Sequence, residues 1–507
     1  MKNKIVSIDK LEKIIKNLKS KKKKIMLCHG VFDLLHIGHI KHFQEAKTLG
    51  DILVVTITPG KYVNKGPSRP AFNDRLRLEA LAALNVVDFV ALNTTPTATQ
   101  LIKKIKPNIY CKGPDYKNKK NDLTGEIKNE SKAIKKIGGK IYFTKDMTFS
   151  SGNLINKYIN VFSQNQKNII NQIKKKYNFL KIKHLIESLK KIKVLVIGEI
   201  IIDQYVFCEA LGKSGKEPML VLRNLESEEY LGGSAAIARH LSDFSNNVSL
   251  YGMIGDKDHY REKITKRLPK NINFKFLKKD DSPTIVKKRF LDNVGNKKVL
   301  GVYTINDENL KKNDEKKFRN YLKANIKKYD LVIVSDYGHG FVSNENAKII
   351  CKNSKYLALN AQVNAANIGY HSMRKYNNID CVIINETELR HELRNKNGKI
   401  ESLMKELSIS RNINNLIVTR GKDGSILFNK KDKKFNYSEA FASNQVDKIG
   451  AGDAMLALSS LCLKLKLDKS LSLLLGSLAA AQSVETIGNK EQVNKTKILK
   501  SLENITK

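Results

Sequence analysis

The chain has 507 residues, 41% hydrophobic and 28% charged, with a formal net charge of +42. That length calls for two or more domains, and that balance excludes a fibrous or wholly disordered chain. The longest apolar segment, 471–481, is too short for a bilayer and is broken by Ser472, Gly476 and Ser477, so no membrane attachment is expected. The first residues, MKNKIVSIDK, scatter Lys and Asp through their apolar positions and show no signal-peptide core. Six cysteines stand far apart with no CxxC pair, which fits a reducing, cytoplasmic setting. The charge is spread along the chain, with tight lysine runs only at 21–24 and 174–176, and no nucleic-acid motif accompanies it. It is read as a solvated surface that attracts phosphorylated substrates, with no nucleic-acid partner.

In chain order, apolar runs at 24–28 and 51–57 predict two strands around a helix. A polar Gln/Asn/Lys-rich stretch follows, placing a linker at 166–185 between a domain at 1–165 and another at 186–507. Further strands are expected at 193–198, 248–252, 331–334, 382–384 and 416–418. Strands alternating with helical periods predict an α/β class with parallel sheets covered on both faces.

The first strand runs into His36-Ile37-Gly38-His39 at the mouth of an amphipathic helix. Histidines three apart in a first helical turn share a face beside unpaired N–H groups, and Gly38 leaves room for a phosphate. The pattern points to an enzyme that handles nucleotides.

Read with Gly30-Val31-Phe32-Asp33, Lys65-Gly66-Pro67-Ser68-Arg69-Pro70, Arg77, Lys112-Gly113-Pro114-Asp115-Tyr116 and Ser150-Ser151, the first domain resembles the cytidylyltransferase-like nucleotidyltransferases. The resemblance is most specific to the ADP-heptose synthase domain of bifunctional heptose-phosphate enzymes, and it implies a Rossmann-like fold. It implies that a sugar phosphate attacks the α-phosphorus of ATP and that pyrophosphate leaves, with Mg2+ accompanying the triphosphate. His36 and His39 are then catalytic. Gly30, Phe32, Gly38, Lys65, Arg77, Ser150 and Ser151 are expected around the nucleotide, and Asp33, Lys112 and Asp115 near the substrate. For Asp33 and Asp115, a role as turn or cap residue remains equally open.

The second domain carries Asp447-Lys448-Ile449-Gly450-Ala451-Gly452-Asp453 before an apolar helix, a turn in which successive amides can converge on a phosphate. With Asp203, Gly232-Gly233, Lys287, Arg289, Ser335-Asp336-Tyr337-Gly338, Asn385, Glu388, Thr419-Arg420-Gly421 and Gly424, it resembles the ribokinase-like sugar kinases, most nearly heptose-7-phosphate kinase. The resemblance implies Asp453 as base and Gly450, Ala451 and Gly452 as anion hole. It puts Asn385, Glu388, Thr419, Arg420 and Gly421 on the ATP side, and Asp203, Gly232, Gly233, Lys287 and Arg289 on the sugar side. It also implies a homodimer formed through this domain.

The chain departs from that family at Ala236, where an asparagine is usual, at Lys448 and Ile449 for threonines, at His339 for a basic residue, and at Asn360-Ala361-Gln362 for Asp-Pro-Lys. The order of the two domains is also reversed. Two readings follow. One is a cytoplasmic bifunctional enzyme making an ADP-heptose for lipopolysaccharide from ATP and heptose phosphates. The other is a CTP-dependent cytidylyltransferase for a polyol phosphate, with a degenerate, sugar-phosphate-binding kinase domain. The retained Asp453 favours the first.

Overall fold

A computed structural model describes residues 4–506 except 64, 67–68, 118–123, 146–161, 296 and 443–444, and omits the side chain of residue 115. Two compact units result: Met1–Ser163 with Thr496–Lys507, and Gln164–Lys495. The stretch expected as a linker is helical, at Gln164–Lys176 and Phe179–Ser188, and it groups with the second unit. Its apolar residues explain this: Ile169, Ile170, Ile173, Ile182 and Ile186 are buried at helical spacing within an otherwise polar composition.

The first unit is built on a parallel sheet of β1 (Ile25–Gly30), β2 (Ile52–Ile57), β3 (Phe89–Leu92), β4 (Ile109–Lys112) and β5 (Lys140–Phe143), in the order β3-β2-β1-β4-β5. The central strand IMLCHG is buried along nearly its whole length, as expected of a parallel strand covered on both faces. Helix Ile8–Ser20, capped by the Ser7 side chain, covers one face with Leu11 and Ile15. Phe43 and Ala46 of helix Ile37–Thr48 cover the other. The strand order switches direction between β1 and β4, and the crevice outside the carboxyl ends of such strands is where α/β folds bind ligands.

In the second unit, strands β6 (Lys193–Lys213), β7 (Leu220–Gly233), β8 (Asn247–Gly255), β9 (Ile272–Lys279), β10 (Ile285–Asp292), β11 (Lys297–Thr304), β12 (Leu331–Asp336), β13 (Leu357–Ala361), β14 (Ile379–Asn385), β15 (Ile413–Thr419), β16 (Ser425–Asn429) and β17 (Lys434–Ser438) form one large sheet. The 21-residue β6 belongs to two parts of it. Its first half pairs in parallel with β8 and β12 in the body of the sheet, while its second half pairs with β7 and β10. β7, β10 and β11 thus form a flap continuous with the core strand, and every residue of β11 is exposed. The apolar helices Ala451–Lys464 and Lys469–Val484 pack together and are buried along most of their length.

Among the described residues no helix is long and apolar enough to cross a membrane.

Candidate active sites

In the first unit, β1 ends at Gly30 and the loop to helix Ile37–Thr48 carries the histidines. His36 occupies the N-cap position in extended conformation, without capping the helix through its side chain. Gly38 and His39 lie in the first turn, and the two imidazoles stack with centroids 3.9 Å apart. Burial, then the charge of Lys65, lowers the proton affinity of His36. Burial, then the His36 ring and Lys65, pushes His39 down to about 3. Both rings are therefore neutral at pH 7. Lys65 thus lies near enough to both rings for its charge to bear on them.

Phe32, at φ +47°, packs edge-on against His39 at 5.2 Å and against Phe43 at 5.1 Å. It therefore holds the His39 ring against the core side of the helix through Phe43. Asp33 is buried, accepts from the Phe72 N–H at 3.1 Å and faces Arg69 Nη1 at 3.5 Å. It ties the histidine loop to the 69–72 segment.

Two residues expected at ligands make buried contacts within the frame. Arg77, fully buried, donates to the carbonyls of Phe72, Val31 and Thr58 and pairs with Asp74 at 2.6 Å. Its guanidinium fills a space where backbone carbonyls need donors, so it braces the loop from behind. Lys112 pairs with Glu130 at 3.1 Å in a buried position, and its ammonium lies over the rings of Tyr110 and Tyr116. The Lys65 carbonyl accepts from Asn504 Nδ2 at 2.5 Å, so the C-terminal helix Lys495–Thr506 supports the 65–66 turn. Ser150, Ser151 and the Asp115 side chain lie outside the described residues.

In the second unit, a cleft of about 1150 Å³ is lined by every sugar-side and ATP-side residue named from the sequence except Gly232. Gly450, at φ +88°, is the N-cap of helix Ala451–Lys464, so the amides of its first turn open into the cleft. A Cβ at Gly450 would lie 2.1 Å from Asn489 Oδ1, which leaves glycine as the residue that fits. Asp453 follows one residue after Gly452 in that turn. Burial, more than any neighbour, pushes its carboxyl up to about 7; Asp203 raises it further, while the Tyr337 hydroxyl and Lys287 oppose the shift. Such a group exchanges protons at neutral pH.

On the sugar side, Asp203 of β6 binds Arg289 of β10 at 2.7 Å, with both side chains nearly buried. Gly232 belongs to this wall from behind, because a Cβ there would meet Asp203 Oδ2 at 2.2 Å. Gly233 and Lys287 complete it. On the ATP side, Asn385 and Glu388 form a reciprocal capping box for helix Glu386–Leu393. Burial raises Glu388 to about 7. Arg420 Nε reaches Glu386 at 3.3 Å, and Thr419 and Gly421 line the same wall. No cluster of three or more His, Cys, Asp or Glu side chains suited to a metal occurs among the described residues.

Of the departures from the family pattern, Lys448 and Ile449 line the cleft. His339 is buried and turned to Asp307 at 2.5 Å, and Ala236 is buried in helix Ser234–Leu241. Sequence reasoning missed the pairings that join distant segments. Asp447 accepts from Tyr205 at 2.8 Å, from Lys298 of the flap at 2.5 Å and from the Gly488 N–H at 3.1 Å. Asn489 also lines the cleft. Nothing local in the sequence marks these contacts, since Tyr205, Lys298 and Gly488 lie 242, 149 and 41 positions from Asp447.

Residues 27–158 match the cytidylyltransferase-like family model, and residues 191–496 match that of the pfkB family carbohydrate kinases. Three curated relatives, all named Bifunctional protein HldE, show the extent of likeness. That of Aliarcobacter butzleri is 39% identical over 139 residues, covering 27% of this chain and 29% of the relative. That of Geobacter metallireducens is 34% identical over 167 residues, 32% of each. That of Helicobacter pylori is 43% identical over 111 residues, 22% of this chain and 24% of the relative. The matched stretch thus spans about a third or less of these relatives. Phosphofructokinase-2 of Escherichia coli, in complex with substrates and products, shares the fold at TM-score 0.50 and 13% identity, over 62% of this chain and 100% of the other. The same enzyme with potassium gives 0.50 at 12% identity, with the same coverage. The match over 191–496, more than half of the chain, places it in the pfkB carbohydrate kinase family, with a cytidylyltransferase-like unit ahead of it at 27–158.

Proposed function

We propose that the chain makes a nucleotide-activated heptose through two separate reactions. The observation that carries the reading is Asp453, half-buried in the Gly450 turn and lining one cleft with Asp203, Lys287 and Arg289. In the second unit the anomeric hydroxyl of a sugar phosphate attacks the γ-phosphorus of ATP. Its proton passes to the Asp453 carboxylate, and ADP leaves. The amides at 450–453 hold the transferred phosphoryl oxygens, and Lys287 and Arg289 supply positive charge for a phosphorylated sugar. We assign D-glycero-D-manno-heptose 7-phosphate as that sugar, following the likeness to the HldE relatives.

In the first unit an oxygen of heptose 1-phosphate attacks the α-phosphorus of ATP, giving ADP-D-glycero-β-D-manno-heptose and pyrophosphate, a precursor for lipopolysaccharide. The nucleophile is already an anion, so neutral His36 and His39 act as hydrogen-bond donors rather than bases. In the second unit Mg2+ would supply charge neutralisation at the ATP phosphates, where Glu386 among the carboxylates lining the cleft suits a cation that keeps waters and phosphate oxygens as most of its ligands. We further propose a cytoplasmic homodimer formed through the kinase unit.

The family model's cytidylyl description keeps one second reading: a CTP-dependent enzyme acting on a polyol phosphate beside a degenerate kinase unit. Pyrophosphate release from heptose 1-phosphate, compared with ATP and with CTP and repeated with His39→Ala, decides between them. Release with ATP that the variant loses supports the first reading. Release with CTP alone refutes it.

A further inference from the structure

Tyr337 follows the last residue of β12 and is turned into the core, 3% exposed. Its main chain is held from three sides. The N–H donates to Glu199 Oε2 at 3.1 Å, and the carbonyl accepts from Asn364 Nδ2 at 3.0 Å and Asn367 Nδ2 at 2.7 Å. Lys287 lies over the ring at 5.4 Å. The hydroxyl donates to Asp453 Oδ1 at 3.0 Å. A phenol fixed this firmly has one orientation to offer, and it offers it to one oxygen of the carboxylate that takes the substrate proton.

We propose that Tyr337 is a positioning residue for phosphoryl transfer: its hydroxyl clamps one oxygen of Asp453, turns the other toward the sugar hydroxyl and stabilises the charged carboxylate. The inference rests on the kinase reading of Asp453. A donor to the ionised form opposes the burial that favours the protonated acid. The other charged groups facing Asp453 are Asp203 of β6 and Glu388 of helix Glu386–Leu393, which favour the acid, and Lys287 of β10, which favours the carboxylate. Arg289 acts on this set through its pair with Asp203. Removing the hydroxyl leaves all of these in place, so its contribution is isolable.

The test is Tyr337→Phe, read in two ways. ATP turnover with D-glycero-D-manno-heptose 7-phosphate is measured against pH, with Asp453→Asn as reference. Independently of any sugar, Asp453 is titrated by carboxyl-13C NMR in the full-length protein, its resonance identified by its loss in Asp453→Asn. The expected result is a kcat about tenfold lower, an acidic limb of kcat moved up by about one pH unit, and an unchanged KM for ATP. The Asp453 resonance should move upward by the same interval. An Asp453 titration identical in Tyr337→Phe and wild type overturns the proposal, even if the sugar is a different one. Turnover surviving in Asp453→Asn overturns the kinase reading instead. If Tyr337→Phe does not fold, Asn364→Ala/Asn367→Ala keeps the hydroxyl but frees its main chain. It should shift the Asp453 titration in the same direction, and no shift counts against the clamp.

Discussion

Replacing Arg77 separates two roles for the same guanidinium. As a phosphate ligand it should matter to catalysis alone; as placed here, it holds the fold of the first unit. Its side chain is fully buried and satisfies the carbonyls of Phe72, Val31 and Thr58 at 3.1, 2.6 and 3.0 Å. Lysine keeps the charge, but its single nitrogen cannot span three carbonyls that a planar fork reaches at once. At least two buried acceptors lose their donor, at about 1–3 kcal/mol each. The Asp74 partner is about a third exposed, so its share is small. Arg77→Lys should therefore destabilise the first unit by about 3 kcal/mol. Since unfolding of two units is not a single transition, the assay is native-state hydrogen exchange followed on peptides covering 25–35 and 52–58. Protection there should fall by about a hundredfold, with peptides of the second unit unaffected. Unchanged protection together with a large rise in KM for the nucleotide would refute the bracing role and restore Arg77 to the phosphate site.

Gly450→Ala places a methyl 2.1 Å from Asn489 Oδ1 at φ +88°; a rise in KM for ATP of at least tenfold is expected, partly relieved by Asn489→Ala, and an unchanged KM would show that the turn does not hold phosphate. Gly232→Ala meets Asp203 Oδ2 at 2.2 Å, so the sugar's KM should rise in steady-state assays while that for ATP stays constant; a selective ATP effect would contradict the division of the cleft. His39, at about 3 in the fold, stays neutral where the unfolded ring, near 6.5, takes up a proton. Stability of the first unit is therefore lost as pH falls from about 6.5 toward 3, at about 1.4 kcal/mol per pH unit for this ring. His39→Gln should flatten that acid dependence in urea titrations, and an unchanged slope would place the proton uptake elsewhere.

The sequence made both sheets legible because buried parallel strands such as IMLCHG and KVLVIG are continuous apolar runs. The sites were legible where ligand-binding backbone needs small residues in order, as in HIGH and GAGD. What it hid were roles decided by distant partners. Arg77 and Lys112 have the residue type of phosphate ligands, and only the fold shows three carbonyls around one and Glu130 beside the other. The helix Gln164–Lys176 was obscured by polar composition, although its three isoleucines already carried the helical period. Tyr337 sat within a recognised turn, but its contact with Asp453 spans 116 positions and has no local signature.

The central claim is that one chain holds two chemically independent transferase sites. Phosphorus-31 NMR of the purified full-length protein tests it with ATP and either heptose 7-phosphate or heptose 1-phosphate, in wild type, Asp453→Asn and His39→Ala. The account predicts a heptose 1,7-bisphosphate signal lost only in Asp453→Asn, and pyrophosphate with ADP-heptose lost only in His39→Ala. Both products lost together in a folded single variant, or a bisphosphate signal persisting without Asp453, would contradict it.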